Sequence, residues 1–309
     1  MLSKPRKIII AVLFCFSLTV VGITLTFRED EPRYKGKPLS NWLARYREAV
    51  LSERPFAAAE AEAAIKAIGT NAVPYLLKWL QYRESKEQRW KVDRLRALPA
   101  ILTRNPLGEW LATDSKETRS LIAMFGFRPL RDEAAATIPE LAQLATLTDR
   151  EDDYTARRAI YALASFGDSG VPTLVAALTN SPSLRRVLIT EFLGDERFFG
   201  TNRSTRVPPL LKCLDDEDHF VAMAAATSLG KLAAEPDVVV PALQRASDKY
   251  GDMVRLNAIE ALGRFGGKAR SATPLLINAL SSKMFGEAEA ATNALRQVAP
   301  EVLTNALTR

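Results

Sequence analysis

Histidine and cysteine are almost absent from this chain, which has one histidine and two cysteines in 309 residues. The single histidine, His219, excludes any metal site or catalytic mechanism that needs two histidines. Cys15 lies in an apolar N-terminal run and Cys213 lies far along the chain, so no disulfide framework is expected. The H-E-x-x-H, G-x-S-x-G, C-x-x-C and P-loop motifs are also missing. We therefore expect a protein that is not an enzyme and that uses no cofactor or metal.

A broad excess of positive charge is also missing from most of the chain, although the formal net charge is +6. Four basic residues (Lys4, Arg6, Lys7 and Arg28) and no acidic residue lie within residues 1–28. The rest of the chain therefore contains 38 of the 42 basic side chains and all 36 acidic ones. A nearly neutral body has no broad electrostatic attraction for phosphate, so we expect no nucleic-acid partner.

Only one long uncharged run is present, and it extends from Ile8 to Phe27. A helix of 20 residues spans roughly 30 Å, the thickness of the apolar core of a bilayer. We predict that residues 8–27 form a transmembrane anchor within an N-terminal segment, residues 1–28. Basic residues before the run favour a cytoplasmic N-terminus, with the body outside the cytoplasm on the periplasmic side. The alternative is a signal peptide cleaved after Gly22, which would give a secreted protein.

Prolines recur along the body at nearly constant intervals. All but the last interval lie between 32 and 36 residues, and the positions are Pro74, Pro106, Pro139, Pro172, Pro208, Pro241, Pro274 and Pro300. Most of them begin an apolar stretch, such as VPYLLKWL or VPTLVAAL. Proline suits the first turn of a helix, where its missing N–H would have no partner. Each proline is therefore predicted to start the second helix of a helical pair.

A second recurring pattern predicts the first helix of each pair. It is rich in alanine and leucine and occupies residues 156–167, 222–232, 254–266 and 288–298. Small alanine side chains allow neighbouring helices to approach closely. Glycine adopts left-handed backbone angles at little cost, so glycines are predicted to end first helices. The candidates for this role are Gly167, Gly230 and either Gly263 or Gly266.

A period near 33 in an all-helical chain predicts stacked helical pairs that share one apolar core. Clustered β-branched residues are scarce after residue 30, which favours an all-α body. Residues 252–263 (DMVRLNAIEALG) resemble the HEAT-like repeats first named from phycobilisome lyases. The resemblance implies an α-solenoid of about seven HEAT-like hairpins over residues 55–309, preceded by one transmembrane helix.

A short motif stands before the repeats. Residues 34–43 (YKGKPLSNWL) resemble the N-terminal motif of envelope HEAT-repeat proteins of planctomycete and verrucomicrobial type. Ser40 is a candidate N-cap, and Trp42, Leu43 and Tyr46 give the following helix one apolar face. We predict that residues 29–54 form a juxtamembrane linker and a helix that caps the solenoid. A dedicated ligand-binding motif is the alternative.

An acidic cluster, Asp215–His219, offers oxygen and imidazole ligands within five residues. Similar acidic loops recur at residues 149–153 and 248–252, each before a predicted first helix. Carboxylates at that position cap the next helix and complement its dipole. A structural role is therefore favoured over metal binding.

Second helices usually line the concave face of HEAT-like arrays, and the resemblance implies the same here. The fourth residue after each proline is predicted to face a partner, together with the adjacent Trp79, and the next residues also include Cys213. These positions are Lys78, Trp110, Gln143, Ala176, Lys212, Arg245 and Asn278. Trp79 and Trp110 are the candidate anchors, since tryptophan is enriched at interface hot spots. The basic stretch 78–104 is a second candidate surface, and a solvated helix face is the alternative for both.

These observations predict a non-catalytic scaffold or adaptor, tethered to a membrane, that binds a protein or peptide. The resemblance to lyase repeats leaves a tetrapyrrole lyase or isomerase as the alternative, with Cys213 as the one cysteine available in the body. A nucleic-acid-binding helical repeat is a third alternative, which the near-neutral body disfavours.

Overall fold

The computed structural model describes residues 30–83, 90, 93–94, 115–147, 153–179, 181–199, 202–249 and 251–307. The predicted anchor at residues 8–27, Trp110 and most of the basic stretch 78–104 lie outside these residues. Within the described ranges, no helix has both the length and the apolar character needed to cross a bilayer.

The described residues are mainly helical. Two short strands and 15 α-helices follow one another in these ranges: β1 Arg33–Tyr34, β2 Lys37–Pro38, α1 Leu39–Leu51, α2 Pro55–Ile68, α3 Val73–Leu80, α4 Ser115–Ala123, α5 Ile138–Ala145, α6 Asp153–Ser165, α7 Val171–Leu178, α8 Ser183–Leu193, α9 Val207–Leu214, α10 His219–Leu232, α11 Pro236–Lys249, α12 Asp252–Arg264, α13 Thr273–Ala279, α14 Glu287–Val298 and α15 Pro300–Leu307.

Helices α6 to α15 alternate between first helices (α6, α8, α10, α12, α14) and second helices (α7, α9, α11, α13, α15). Before them, α2 is counted as a first helix, and α3 and α5, which also begin at a recurring proline, are counted as second helices. Consecutive first helices pack against one another, and each second helix from α7 to α13 also packs against the first helix that follows it. One apolar core extends through the described ranges from Leu39 to Ala299. The predicted repeat stack with a shared core is therefore present.

The N-terminal motif forms a β-hairpin, so the expectation of an all-α body was incomplete. Strands β1 and β2 pair antiparallel, with Arg33 opposite Pro38 and Tyr34 opposite Lys37. Lys35 and Gly36 form the turn at φ of 45° and 74°, the left-handed pair that a tight two-residue hairpin requires. The Trp42 indole on α1 donates to the Tyr34 carbonyl (Nε1 to O, 3.1 Å) and thereby ties the hairpin to the helix.

The predicted N-cap role of Ser40 is wrong, because α1 already begins at Leu39. The carboxylate of Glu31 takes the capping role instead. It accepts from the Ser40 backbone N–H at 2.7 Å and from the Ser40 hydroxyl at 2.8 Å. Glu31 is buried at the positive end of the helix, where a carboxylate satisfies N–H groups that lack intrahelical partners. The motif thus builds a cap from a turn, a carboxylate and an indole.

The predicted proline starts are confirmed for six second helices, in which proline is the first or second residue. These prolines are Pro74, Pro139, Pro172, Pro208, Pro274 and Pro300. Pro241 departs from the prediction because α11 begins five residues earlier, at Pro236, and Pro241 lies inside the helix. Pro106 lies outside the described residues.

Left-handed glycines end the first helices of three pairs, as predicted for Gly167 and for Gly266. Gly69, Gly167 and Gly266 have φ of 62°, 64° and 55°, and each is followed by a 3₁₀ turn that leads into a second helix. Gly230 and Gly263 do not have this role, because α10 continues to Leu232 and α12 continues to Arg264.

The two mid-helix glycines instead set the distance between neighbouring first helices. A Cβ atom on Gly230 would lie 2.7 Å from the Cα of Ala261, and one on Gly263 would lie 3.0 Å from the Cα of Ala294. At these points backbone approaches backbone, which only the smallest side chains permit. Glycine and alanine therefore set the close packing of α10, α12 and α14.

Arginine side chains satisfy the carbonyl ends of several helices. Arg158 donates to the Leu80 carbonyl at the end of α3 (Nη1 to O, 2.8 Å). Arg206 donates to the Leu193 carbonyl at the end of α8 (Nη1 to O, 3.0 Å). Burial lowers the pKa of both guanidinium groups. Buried carbonyls at a helix terminus need a donor, and a cation also suits the negative end of the helix dipole.

We predict that Gly230→Ala lowers the free energy of unfolding by about 1–3 kcal/mol, because the added methyl would meet the α12 backbone. The measurement is thermal or urea denaturation followed by far-UV circular dichroism. Gly267→Ala is the matched control, since a Cβ there meets no atom within 4 Å. An alanine at residue 230 that leaves stability equal to the parent would contradict the close approach of α10 and α12.

Candidate protein-binding surface

Six second helices expose the same two positions to solvent. In each helix the recurring proline and the fourth residue after it are exposed, and we call these twelve positions the proline row. Residues four apart lie on the same face of a helix, one turn from each other. The row contains the pairs Pro74 with Lys78, Pro139 with Gln143, Pro172 with Ala176, Pro208 with Lys212, Pro241 with Arg245, and Pro274 with Asn278.

A buried leucine two residues after each proline orients the row. Two residues turn a helix by about 200°, so this leucine lies on the face opposite the proline. Each of these leucines is 0% exposed: Leu76, Leu141, Leu174, Leu210, Leu243 and Leu276. The same exposed and buried positions recur in α11, although that helix starts earlier than the others. The buried leucine, and not the first residue of the helix, decides which side of the helix faces solvent.

The predicted column therefore lies on the surface at Lys78, Gln143, Lys212, Arg245 and Asn278. Trp79, which follows Lys78 in the chain, is buried instead.

Trp79 is 4% exposed, so its predicted role as a surface anchor is wrong. It lies five residues after Pro74, about 140° around the helix from the exposed face. Its ring packs edge-on against Tyr75 with centroids 6.0 Å apart, and the Arg119 guanidinium lies 5.7 Å from its centroid. Trp79 stabilises the junction of α3 and α4, and Trp110, the second predicted anchor, lies outside the described residues.

Two consecutive second helices, α9 and α11, each carry one cation in the row. These cations are Lys212 and Arg245. Lys78 adds a third cation on α3, and no carboxylate occupies the fourth position after a proline in the described helices. Between neighbouring second helices, the Gln81 amide donates to the Glu140 carboxylate (Nε2 to Oε1, 3.2 Å) and links α3 to α5. The row therefore combines exposed cations with amide and proline surfaces.

An open cleft of about 760 Å³ lies at the N-terminal end of the row. Pro74 and Lys78 line one side, and residues 30–32 line the other. The Tyr75 hydroxyl donates to the Asp30 carbonyl at 2.7 Å and joins the two sides. The sequence gives no signal of this cleft, because its walls lie about 40 residues apart in the chain and no local pattern indicates that they meet.

The acidic loop before α10 has a structural role. The Asp218 carboxylate accepts from the Phe220 backbone N–H at 2.9 Å, which confirms that it caps the helix. Hydrogen bonds from Ser183 and from that N–H hold the pKa of Asp218 below its usual range. Asp216 accepts two hydrogen bonds from the Arg186 guanidinium, at 2.8 and 3.0 Å. These partners give Asp216 and Asp218 structural roles.

Two titratable groups, the buried Cys213 and the partly buried Tyr161, are unsuited to chemistry near neutral pH. Cys213 is 5% exposed and accepts a hydrogen bond from Thr190 (Oγ1 to Sγ, 3.4 Å). Burial raises the pKa of the Cys213 thiol, which lowers its thiolate fraction. Burial also raises the pKa of Tyr161 to about 12. Cys213 therefore lies in the core and does not present the exposed thiolate that tetrapyrrole attachment would need.

Comparison with known families identifies HEAT-type repeats in the regular part of the stack. HEAT repeats match residues 171–262, and the PBS lyase HEAT-like repeat matches residues 155–180 and 254–282. These segments lie within α6 to α13, so the predicted repeat type is confirmed there. The anchor and the resemblance of residues 34–43 to planctomycete and verrucomicrobial envelope proteins stay predictions.

A search of curated proteins found no match. Among solved structures, this chain is similar to the crystal structure of an engineered protein. The two are 20% identical, the similarity covers 84% of this chain and 78% of the engineered one, and the TM-score is 0.37. A similarity at that score carries no argument about function or detailed fold.

We predict that Cys213 reacts slowly with a thiol reagent in the folded protein. The full chain with Cys15→Ser leaves Cys213 as the one thiol. Native protein should react much more slowly than protein in denaturant, because burial restricts access of the reagent and the raised pKa lowers the thiolate fraction. The readout is release of thionitrobenzoate from Ellman's reagent at pH 8. Equal rates in the two states would contradict the buried position.

Proposed function

We propose that this protein is a non-catalytic scaffold that binds a protein or peptide partner along the proline row. The observation that carries the proposal is the repeated register: six second helices bury the same leucine and expose the same two positions. A surface that repeats every helical pair contacts an extended partner at several equivalent points. Helical-repeat stacks commonly use such extended surfaces for binding.

The charges of the row indicate the chemistry of the partner. Lys212 and Arg245 are exposed on consecutive second helices, and Lys78 lies beside the cleft. A partner segment with carboxylates spaced along it would be attracted to these cations, and prolines between them offer rigid apolar contacts. The proposed partner is therefore an acidic protein segment and not a nucleic acid, since the body as a whole is nearly neutral.

A membrane location is part of the proposal. The uncharged run at residues 8–27 would hold the chain at a membrane, with the body outside the cytoplasm on the periplasmic side. Cleavage after Gly22, which would give a secreted form, is the alternative. A tetrapyrrole lyase is disfavoured by the burial and raised pKa of Cys213.

The test combines cross-linking with charge reversal. The full chain, tagged and expressed in its native cells, is cross-linked through a photoreactive amino acid at Ala176, and the attached protein is identified. Lys212→Glu/Arg245→Glu should lower capture of that same protein roughly tenfold, since attraction becomes repulsion at two contacts worth about 1.4 kcal/mol together.

Lys268→Glu/Arg296→Glu is the control, because it makes the same charge change at exposed positions away from the row. It should leave capture unchanged. Equal capture by the parent and the Lys212→Glu/Arg245→Glu variant would contradict the proposed face, as would an equal loss in both double variants.

A further inference from the structure

Large apolar side chains are exposed at the same helical position in four consecutive first helices. Each is the second residue of its helix, and we call the four the apolar ladder. Their exposed fractions are 67% for Tyr154, 64% for Leu184, 55% for Phe220 and 55% for Met253. They recur at intervals of 30, 36 and 33 residues, so the ladder follows the repeat.

The next residue in each helix lies about 100° further around the helix axis and is buried. These third residues are Thr155, Arg185, Val221 and Val254. The core is therefore complete without the ladder, and the ladder side chains contribute little to it. A series of exposed apolar side chains at one repeated position is unfavourable in water and is typical of a surface that a partner covers.

Ion pairs bring the starts of these helices together along one edge of the stack. Arg185 on α8 donates to Asp153 at the start of α6 (Nε to Oδ1, 2.9 Å). Its neighbour Arg186 pairs with Asp216 in the loop before α10 at 2.8 Å. Packed helices lie about 8–10 Å apart, so consecutive ladder side chains are separated by steps of that size.

Helix α12 continues the same edge. The Thr227 hydroxyl of α10 donates to the Asn257 side-chain carbonyl of α12 (Oγ1 to Oδ1, 2.8 Å), and Gly230 contacts Ala261 one turn further along. The two helices are thus in register, and Phe220 and Met253 are adjacent members of the ladder.

Exposed carboxylates precede two members of the ladder in the chain. Asp215 and Glu217 precede Phe220 by five and three residues, Asp248 precedes Met253 by five, and all three are exposed. The Lys249 ammonium lies 3.4 Å from the Asp215 carboxylate. The Arg186 charge is already compensated by the two hydrogen bonds to Asp216. The segments before α10 and α12 therefore place exposed carboxylates close in sequence to the ladder, whereas Lys212 and Arg245 of the proline row lie about one turn earlier, on α9 and α11.

We propose that the apolar ladder and its acidic loops bind a basic amphipathic helix. Two turns of an α-helix rise about 10.5 Å over seven residues, close to the step between ladder side chains. Apolar residues of the partner would contact the ladder, and its lysines and arginines would face the carboxylates. The same carboxylates repel an anionic membrane and a second copy of this edge, which leaves a basic protein segment as the occupant.

The test uses the full chain and a fluorescent 22-residue peptide of leucine and lysine, with its leucines on one helical face. Fluorescence anisotropy should show saturable binding. Phe220→Ser/Met253→Ser should weaken it at least tenfold, and Glu217→Lys/Asp248→Lys should weaken it and reduce its salt dependence. An analogue with glutamate in place of lysine should not bind.

Val238→Ser/Ile277→Ser is the matched control, since it removes two exposed apolar side chains from second helices. It should bind the peptide as the parent does. Equal binding by the parent and the Phe220→Ser/Met253→Ser variant, with circular dichroism unchanged, would overturn the proposal. An equal loss in that variant and in the control would also overturn it.

Two further measurements address the rival occupants. Co-sedimentation with phosphatidylglycerol vesicles that depends on Phe220 and Met253 would overturn the proposal in favour of a membrane surface. A dimer in analytical ultracentrifugation that the same variant converts to monomer would overturn it in favour of self-association. Lys212→Glu/Arg245→Glu should bind the peptide normally, so failure of the proline-row proposal would leave this one standing.

Discussion

Backbone contact between first helices is the constraint on which the rest of the structure depends. Gly230 and Gly263 let α10, α12 and α14 approach until main-chain atoms nearly touch. That spacing aligns equivalent positions of successive helical pairs. The exposed proline row and the apolar ladder both follow the stacking, because the row repeats two sequence positions and the ladder repeats one position along the stack.

The ends of the helices present a second physical problem, and charged side chains solve it. Carbonyl groups at helix ends inside the stack have no intrahelical partner, and Arg158 and Arg206 supply donors to them. At the opposite ends, Glu31 and Asp218 accept from N–H groups. Charged side chains at these helix ends therefore have structural partners, which explains why clusters such as Asp215–His219 resemble sites in the sequence.

The two proposed binding surfaces differ in charge and in position. The proline row lies on second helices and carries cations, whereas the apolar ladder lies at the starts of first helices beside carboxylates. An acidic segment and a basic segment would therefore bind different faces of one molecule. In this proposal the protein is an adaptor with two surfaces, and neither surface requires catalysis.

The sequence by itself determined the repeat, most of the proline-started helices and the exposed column, because period and helical phase are local properties of the chain. Only the tertiary structure decided the burial of Trp79 and Cys213, the packing role of Gly230 and Gly263, and the exposure of Phe220 and Met253. Each of these depends on which neighbouring helix lies against a given face and how closely. That distance arises from contacts about 30 residues apart, which no local pattern specifies.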